Sequence, residues 1–199
     1  MRTLILARHG EAVSNATGAV DGTPPGHALT PAWVDQARRL AGAVADTDVE
    51  LGVATEFLRT QETLALALAG REVATVVVPE LNEIRFGAFD GGSLSAYREW
   101  AWTEEADARP PGGGESRAEV AARVADGLET LLARREDVIL AIGHALPVRY
   151  VLDAADGRFP AARIEHVEHA AAHRLDAAAV EQAVEALKVW SQEPSFSSH

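Results

Sequence analysis

Asp137-Val138-Ile139-Leu140-Ala141-Ile142 is an apolar, β-branched run that stops abruptly at Gly143-His144. It has the length of a strand rather than a helix, and a run apolar at successive positions needs cover on both faces. The stretch therefore predicts a central strand of a mainly parallel sheet. Thr3–Ala7 repeats the pattern and runs into Arg8-His9, and Leu51–Ala54 and Val73–Val78, the latter stopped by Pro79, predict two further strands. Helix signals lie between them. Thr30 stands as N-cap with Pro31 at the first helical position, and Trp33, Ala37, Leu40 and Val44 make one apolar face. The Leu/Ala-rich stretch 58–69 predicts a second helix, and the capping box Ser116-Arg117-Ala118-Glu119 opens a third that runs to about Arg134. Strands alternating with helices give an α/β fold, a mainly parallel central sheet with helices on both faces, and such sheets bind ligands at the carboxyl ends of their strands.

No linker or repeat divides the chain, so residues 1–199 are read as a single domain. One segment, about 92–112, breaks the alternation with Gly91-Gly92, Trp100, Trp102 and Pro110-Pro111-Gly112-Gly113-Gly114, and reads as a short acidic and aromatic cover insertion. In the tail, Ala170–Leu175 is read as a strand or as irregular chain, Ala177–Trp190 has helical composition, and Ser195–His199 is expected to fray.

Composition narrows the function. The 199 residues are 47% hydrophobic and contain no cysteine, which removes disulfide frameworks, thiolate nucleophiles and Cys-based metal sites. A net charge of −12 repels nucleic acid and anionic lipid. Of the 18 basic residues only Lys188 is a lysine, so a bound anion must be held by arginine, histidine or backbone N–H groups. No apolar run is long enough for a membrane span. Arg8-His9-Gly10-Glu11 interrupts Met1–Ala7 where the apolar core of a signal peptide would continue, so a cytoplasmic protein is expected.

The chemistry concentrates at two strand ends. Arg8-His9 follows the first strand and His144 follows the strand at 137–142, so a parallel sheet brings both histidines to one edge. Either histidine alone reads as a packed, hydrogen-bonded residue; together, with arginines nearby, they point to an anion site. From the residues alone Glu83 reads as a surface carboxylate near a strand end, and Arg59 equally as a solvated helix residue. Asn15 reads as a phosphate ligand or as a cap of its own turn.

Arg8-His9-Gly10-Glu11 with Asn15 resembles the signature of the histidine phosphatase superfamily, the phosphoglycerate-mutase-like enzymes. Leu29-Thr30 with Gln36-Ala37 matches that family's helix start. Thr55-Glu56-Phe57-Leu58-Arg59-Thr60-Gln61-Glu62-Thr63 is similar to its Ser-x-x-x-Arg-Ala-x-Gln-Thr segment, and 81–91 to its Glu-x-x-x-Gly-x-x-Glu-Gly segment. Gly113-Gly114-Glu115-Ser116 and Gly143-His144 with Arg149 complete the order, so the resemblance covers residues 2 to about 150. Glu62, Thr55 and Ala145 depart from the usual residues without removing a catalytic group. The resemblance implies that His9 takes the phosphoryl group while Arg8, Arg59 and His144 surround its oxygens. It implies that Glu83 protonates the leaving alcohol and then activates water, and that Gly10, Glu11, Asn15 and Ala145 line the substrate. Glu11 orients the site without a chemical step. Arginine and protonated histidine supply the positive charge, so neither metal nor cofactor is expected.

The family divides between mutases and phosphatases. From Glu83 to Gly113 the segment is short, aromatic and acidic, with Glu99, Glu104, Glu105 and Asp107, where the mutases carry a longer basic insertion. Such a cover is expected to repel multiply anionic ligands. The expectation is thus a phosphomonoester hydrolase acting through phosphohistidine on a small phosphorylated metabolite whose other end is neutral or aromatic, the nucleoside-like ester of the α-ribazole phosphatases being one example. A cofactor-dependent phosphoglycerate mutase and a non-catalytic phospho-ligand module are the alternatives. Among assemblies a homodimer is left open. Asp46-Thr47-Asp48 follows a helix-like run where aspartyl-phosphate chemistry needs a strand end, and Gly112-Gly113-Gly114 lacks the lysine of a nucleotide loop. His166, His169 and His173 would share a face and converge on a metal only if that stretch were helical; a histidine cluster without function is the stronger reading.

Overall fold

In the computed structural model, which describes residues 1–196, five strands form one sheet in the order β3-β2-β4-β1-β5. The strands are β1 (Thr3–Arg8), β2 (Leu51–Ala54), β3 (Ala74–Val77), β4 (Val138–Gly143) and β5 (His173–Asp176). All neighbouring pairs are parallel except β1 with β5. The helices are α1 (Val13–Thr17), α2 (Val34–Ala43), α3 (Leu58–Ala67), α4 (Leu94–Ala101), α5 (Arg117–Leu132), α6 (Ala145–Ala155) and α7 (Ala177–Gln192).

The two-residue repeat of the strands divides the core into two layers. Leu4 and Leu6 of β1 with Ile139 and Ala141 of β4 join the layer under α5, α6 and α7; Ile5 and Ala7 with Leu140 and Ile142 face the other way, onto α2 and α3. All eight are buried, which is why β1 and β4 are apolar at successive positions. Each such Leu or Ile contributes about 1.5–3 kcal/mol over an exposed one.

Several expectations shift. Thr30 does not cap with its side chain; its hydroxyl donates to Glu11 instead, and Pro31–Trp33 makes a 3-10 turn before α2 begins at Val34. The capping box at Ser116 forms as read, with Ser116 accepting from the Glu119 N–H and Glu119 from that of Ser116. Ordered structure in the cover appears as α4, and α6 begins directly after His144, neither of which the sequence pattern indicated. The tail strand is the short antiparallel edge β5, and of the expected frayed end residues 197–199 lie outside the described residues.

Candidate active site

Register places the two histidines. Arg8 pairs with Gly143 across the parallel ladder, so His9 and His144 leave the sheet side by side with ring centroids 5.3 Å apart, edge to face. His9 is 2% exposed, and its Nδ1 lies 2.6 Å from the Gly10 carbonyl oxygen. A carbonyl only accepts, so Nδ1 carries the proton and Nε2 keeps a free lone pair. Burial, with the Arg59 and Arg8 guanidiniums adding to it, holds His9 well below the usual histidine range, and the ring is neutral. The Gly10 N–H donates to Thr63 Oγ1 at 2.9 Å, fixing the carbonyl that fixes the ring.

A third histidine props the first. His169 Nδ1 donates to the His9 carbonyl at 2.8 Å, and the rings of His9 and His169 pack 5.6 Å apart. Burial depresses His169 to about 4. The next residue, Ala170, sits in the left-handed region at φ 57° and donates its N–H to the Arg8 carbonyl. That conformation costs a non-glycine residue about 1–2 kcal/mol, and the contact of His169 with the strand end is held against it.

Arg59, from the first turn of α3, is 3% exposed. Asp21 anchors it twice, through the carboxylate at 2.8 Å and the backbone carbonyl at 2.9 Å, and its guanidinium lies 4.3 Å over the Phe57 ring. Arg59 Nη2 also approaches His144 Nδ1 at 3.3 Å, which makes Nδ1 the acceptor and Nε2 the protonated nitrogen. His144 Nε2–H then donates to Thr55 Oγ1 at 3.0 Å, Thr55 to Thr60 Oγ1 at 2.9 Å, and Thr60 to the Phe57 carbonyl at 2.8 Å, with the Thr55 carbonyl a longer second acceptor at 3.4 Å. Burial and the neighbouring Arg59 keep His144 neutral too.

Glu83 faces Arg8 and Arg59 from the segment after β3. Its Oε1 accepts the Ile84 N–H at 3.0 Å. Burial pushes its carboxyl above the usual range, and this outweighs the opposing pull of Arg59, the Ile84 N–H, Arg8 and Arg123. The backbone that aims it is gripped by Arg123, which donates to the carbonyls of Glu80, Asn82 and Glu83 while forking onto the Glu115 carboxylate at 2.7 and 2.9 Å. Gly87, at φ 59°, lets the loop 85–87 close against Gly114, where a side chain would strike the Pro111 carbonyl.

These groups open on a cavity of about 390 Å³. Arg8, His9, Asn15, Arg59, Glu83 and Ala145 are on its wall. Asn15 also turns its Oδ1 back to the Ala12 N–H, so it caps its own turn and lines the cavity at once. Gly10 and Glu11 are not on the wall. The chain turns away after His9, and the Glu11 carboxylate accepts from Thr30, so both residues shape the loop rather than meet a ligand. His144 is fully enclosed behind Arg59 and off the wall, and with both strand-end histidines neutral the positive charge comes from Arg8 and Arg59. Burial brings Arg8 down to about 10, and its Nη1 donates to the Val167 carbonyl at 2.9 Å.

The cover is built differently from the acidic lid expected. α4 turns Leu94, Tyr97, Arg98 and Ala101 to the cavity, while Glu99, Glu104, Glu105 and Asp107 are exposed and absent from its wall. The helical period puts Glu99 on the solvent side, and Glu104, Glu105 and Asp107 lie exposed in the irregular chain after α4, so none of the four faces an anion inside. The stretch holding His166, His169 and His173 is not helical: His166 lines the cavity, His169 supports His9, and His173 belongs to β5. Asp21, Arg123, the bond of Thr55 to His144 and the support from His169 were not singled out from sequence, since a polar residue that pairs across tens of positions leaves no local pattern.

Residues 4–190 match the family model of the histidine phosphatase superfamily, branch 1. The chain belongs to the histidine phosphatase superfamily. Among relatives, it is 32% identical to the uncharacterized protein Rv0525 of Mycobacterium tuberculosis, over 72% of this chain and 73% of that one. It is 32% identical to a 2,3-bisphosphoglycerate-dependent phosphoglycerate mutase of Methylorubrum populi, over 78% and 80%. The solved α-ribazole phosphatase of Shigella flexneri superposes with a TM-score of 0.75 at 26% identity, covering 87% of this chain and 90% of that one. Phosphatases and mutases of the superfamily thus both stand among its neighbours. No helix of the described residues is long and apolar enough to cross a membrane.

Proposed function

We propose that this member of the superfamily is a phosphomonoester hydrolase that works through a phosphohistidine at His9. The observation that carries the reading is the state of His9: Nδ1–H bound to the Gly10 carbonyl, ring neutral, Nε2 unshared, with two guanidiniums and a carboxyl of raised pKa on the same wall. Nε2 attacks phosphorus and the P–O bond to the alcohol breaks, with the Glu83 proton passing to the departing oxygen. Arg8 and Arg59 hold the charge on the transferring oxygens, so no metal is required. Water then attacks phosphorus, the Glu83 carboxylate takes its proton, the P–N bond breaks, and neutral His9 returns with free phosphate.

Hydrolysis is favoured over mutase chemistry by the outer cavity. Beyond the phosphate end the wall includes Phe86, Leu94, Tyr97, Trp102, Leu146 and Ile164, and of the two arginines there Arg117 spends its guanidinium on the Ala101 and Ala162 carbonyls, which leaves Arg98 as the one without a hydrogen-bonded partner among the described residues. A doubly phosphorylated intermediate needs more cations than that; a phosphomonoester with an apolar or aromatic body fits. Brief incubation with labelled substrate is expected to give an acid-labile, base-stable label that His9→Ala abolishes. Phosphate release should continue after dialysis against a chelator. Label that survives acid, or interconversion of 3- and 2-phosphoglycerate faster than phosphate release, would overturn the reading.

A further inference from the structure

Arg117 is 6% exposed and has no carboxylate partner among the described residues, a costly place for a guanidinium. It is also the first residue of α5, where the helix dipole disfavours a cation. Its partners supply the reason for its position. Nη2 donates to the carbonyl of Ala101, at the carboxyl end of α4, and Nη1 donates to the carbonyl of Ala162 at 2.6 Å. Ala101 belongs to the cover and Ala162 to the loop facing it, and both, like Arg117 itself, line the cavity. The negative end of α4 rewards the cation that α5 disfavours. Further out the same two segments meet again where Arg163 lies 4.6 Å over the Trp102 ring, and from the other side Phe196 stacks 4.2 Å from the Arg117 guanidinium.

We propose that Arg117 is the positioning residue that sets the gap between the cover and the 162–164 loop, and thereby the fit of the leaving-group body. The inference rests on the phosphatase reading for its kinetic arm only. One planar fork ties two segments that are distant in sequence to a rigid helix start, so the outer wall is preorganised without touching the reacting phosphate.

The test separates the two ends of the cavity. Naphthylmethyl phosphonate, which cannot be hydrolysed through a P–O ester bond to the naphthyl group, reports the outer wall by calorimetry; inorganic phosphate reports the inner end. Arg117→Met is expected to weaken the phosphonate about tenfold, the loss of roughly one charge-assisted hydrogen bond, with phosphate affinity unchanged. In turnover KM for naphthyl phosphate should rise by a similar factor at constant kcat, and Arg117→Lys should recover part of the loss. Trp102→Ala, at a site 40% exposed, should give a smaller loss in the same direction and serves if Arg117→Met does not fold. Unchanged phosphonate binding in a folded Arg117 variant, equal weakening of phosphate and phosphonate, or no effect of Trp102→Ala where Arg117→Met fails to fold would refute the proposal. A wild-type protein that binds the phosphonate but releases no phosphate would refute the phosphatase reading and leave the binding arm to decide this one.

Discussion

Replacing Glu83 by Gln keeps the shape of the side chain and an acceptor for the Ile84 N–H, while removing the proton that the proposed mechanism passes to the departing alcohol. With Oε1 occupied, that proton belongs on Oε2, and burial favours it there more than the three guanidiniums oppose it. General acid catalysis contributes about 10²–10⁴-fold when the departing oxygen is basic and little when it is not. Glu83→Gln is therefore expected to lower kcat/KM, which reports phosphorylation of His9 and not the water step that both esters share, by about 10³ on benzyl phosphate, roughly 4 kcal/mol of barrier, and by less than about tenfold on p-nitrophenyl phosphate. The two aromatic bodies are alike, so the comparison isolates the leaving oxygen. Stability supplies an independent sign. A carboxyl raised on folding leaves the folded state holding more protons than the unfolded one, so stability falls as pH rises from the ordinary carboxylate range through the raised value. The uncharged Gln escapes that loss. Urea unfolding should find Glu83→Gln more stable than wild type at neutral pH, the gap closing on acidification. Equal kinetic losses on both esters would move the acid elsewhere, and a pH-independent gap would show that burial does not raise this carboxyl.

Asp21→Asn should free Arg59 from its charged anchor: kcat/KM on p-nitrophenyl phosphate is expected to drop about 10–100-fold and inorganic phosphate to bind more weakly, with an unchanged circular dichroism spectrum. Unchanged phosphate binding would mean that Phe57 and His144 suffice to hold the guanidinium. The depressed His9, His144 and His169 reverse the sign found at Glu83: the unfolded chain binds more protons below the ordinary histidine value of 6.5, so stability is full above that pH and is lost as pH falls through the window, to about 4 for His169. Denaturant midpoints should fall between pH 7.5 and 5, less steeply in His169→Asn, and a flat profile would contradict neutral burial.

The sequence by itself determined the two strands that matter. Thr3–Ala7 and 137–142 are apolar on both faces because the sheet is covered on both, and the Arg8-His9 and Gly143-His144 steps that follow mark the carboxyl edge. The Ser116 capping box was equally legible, since its bonds span three residues. Thr30 holds the N-cap position before Pro31 but not the capping bond, because its hydroxyl finds a tertiary partner, Glu11, in place of its own helix. Only the tertiary structure decided which charges face the site. Glu99 and Arg98 are adjacent in sequence, yet α4 turns one to solvent and the other to the cavity. Arg59, Arg117 and Arg123 carry no local mark that separates a buried guanidinium from a solvated one. Their partners, Asp21, the Ala101 and Ala162 carbonyls and Glu115, lie 8 to 45 positions away and meet them only when the chain is folded. Periodicity reports burial of apolar faces within one element, whereas a charge pair between elements has no period to report.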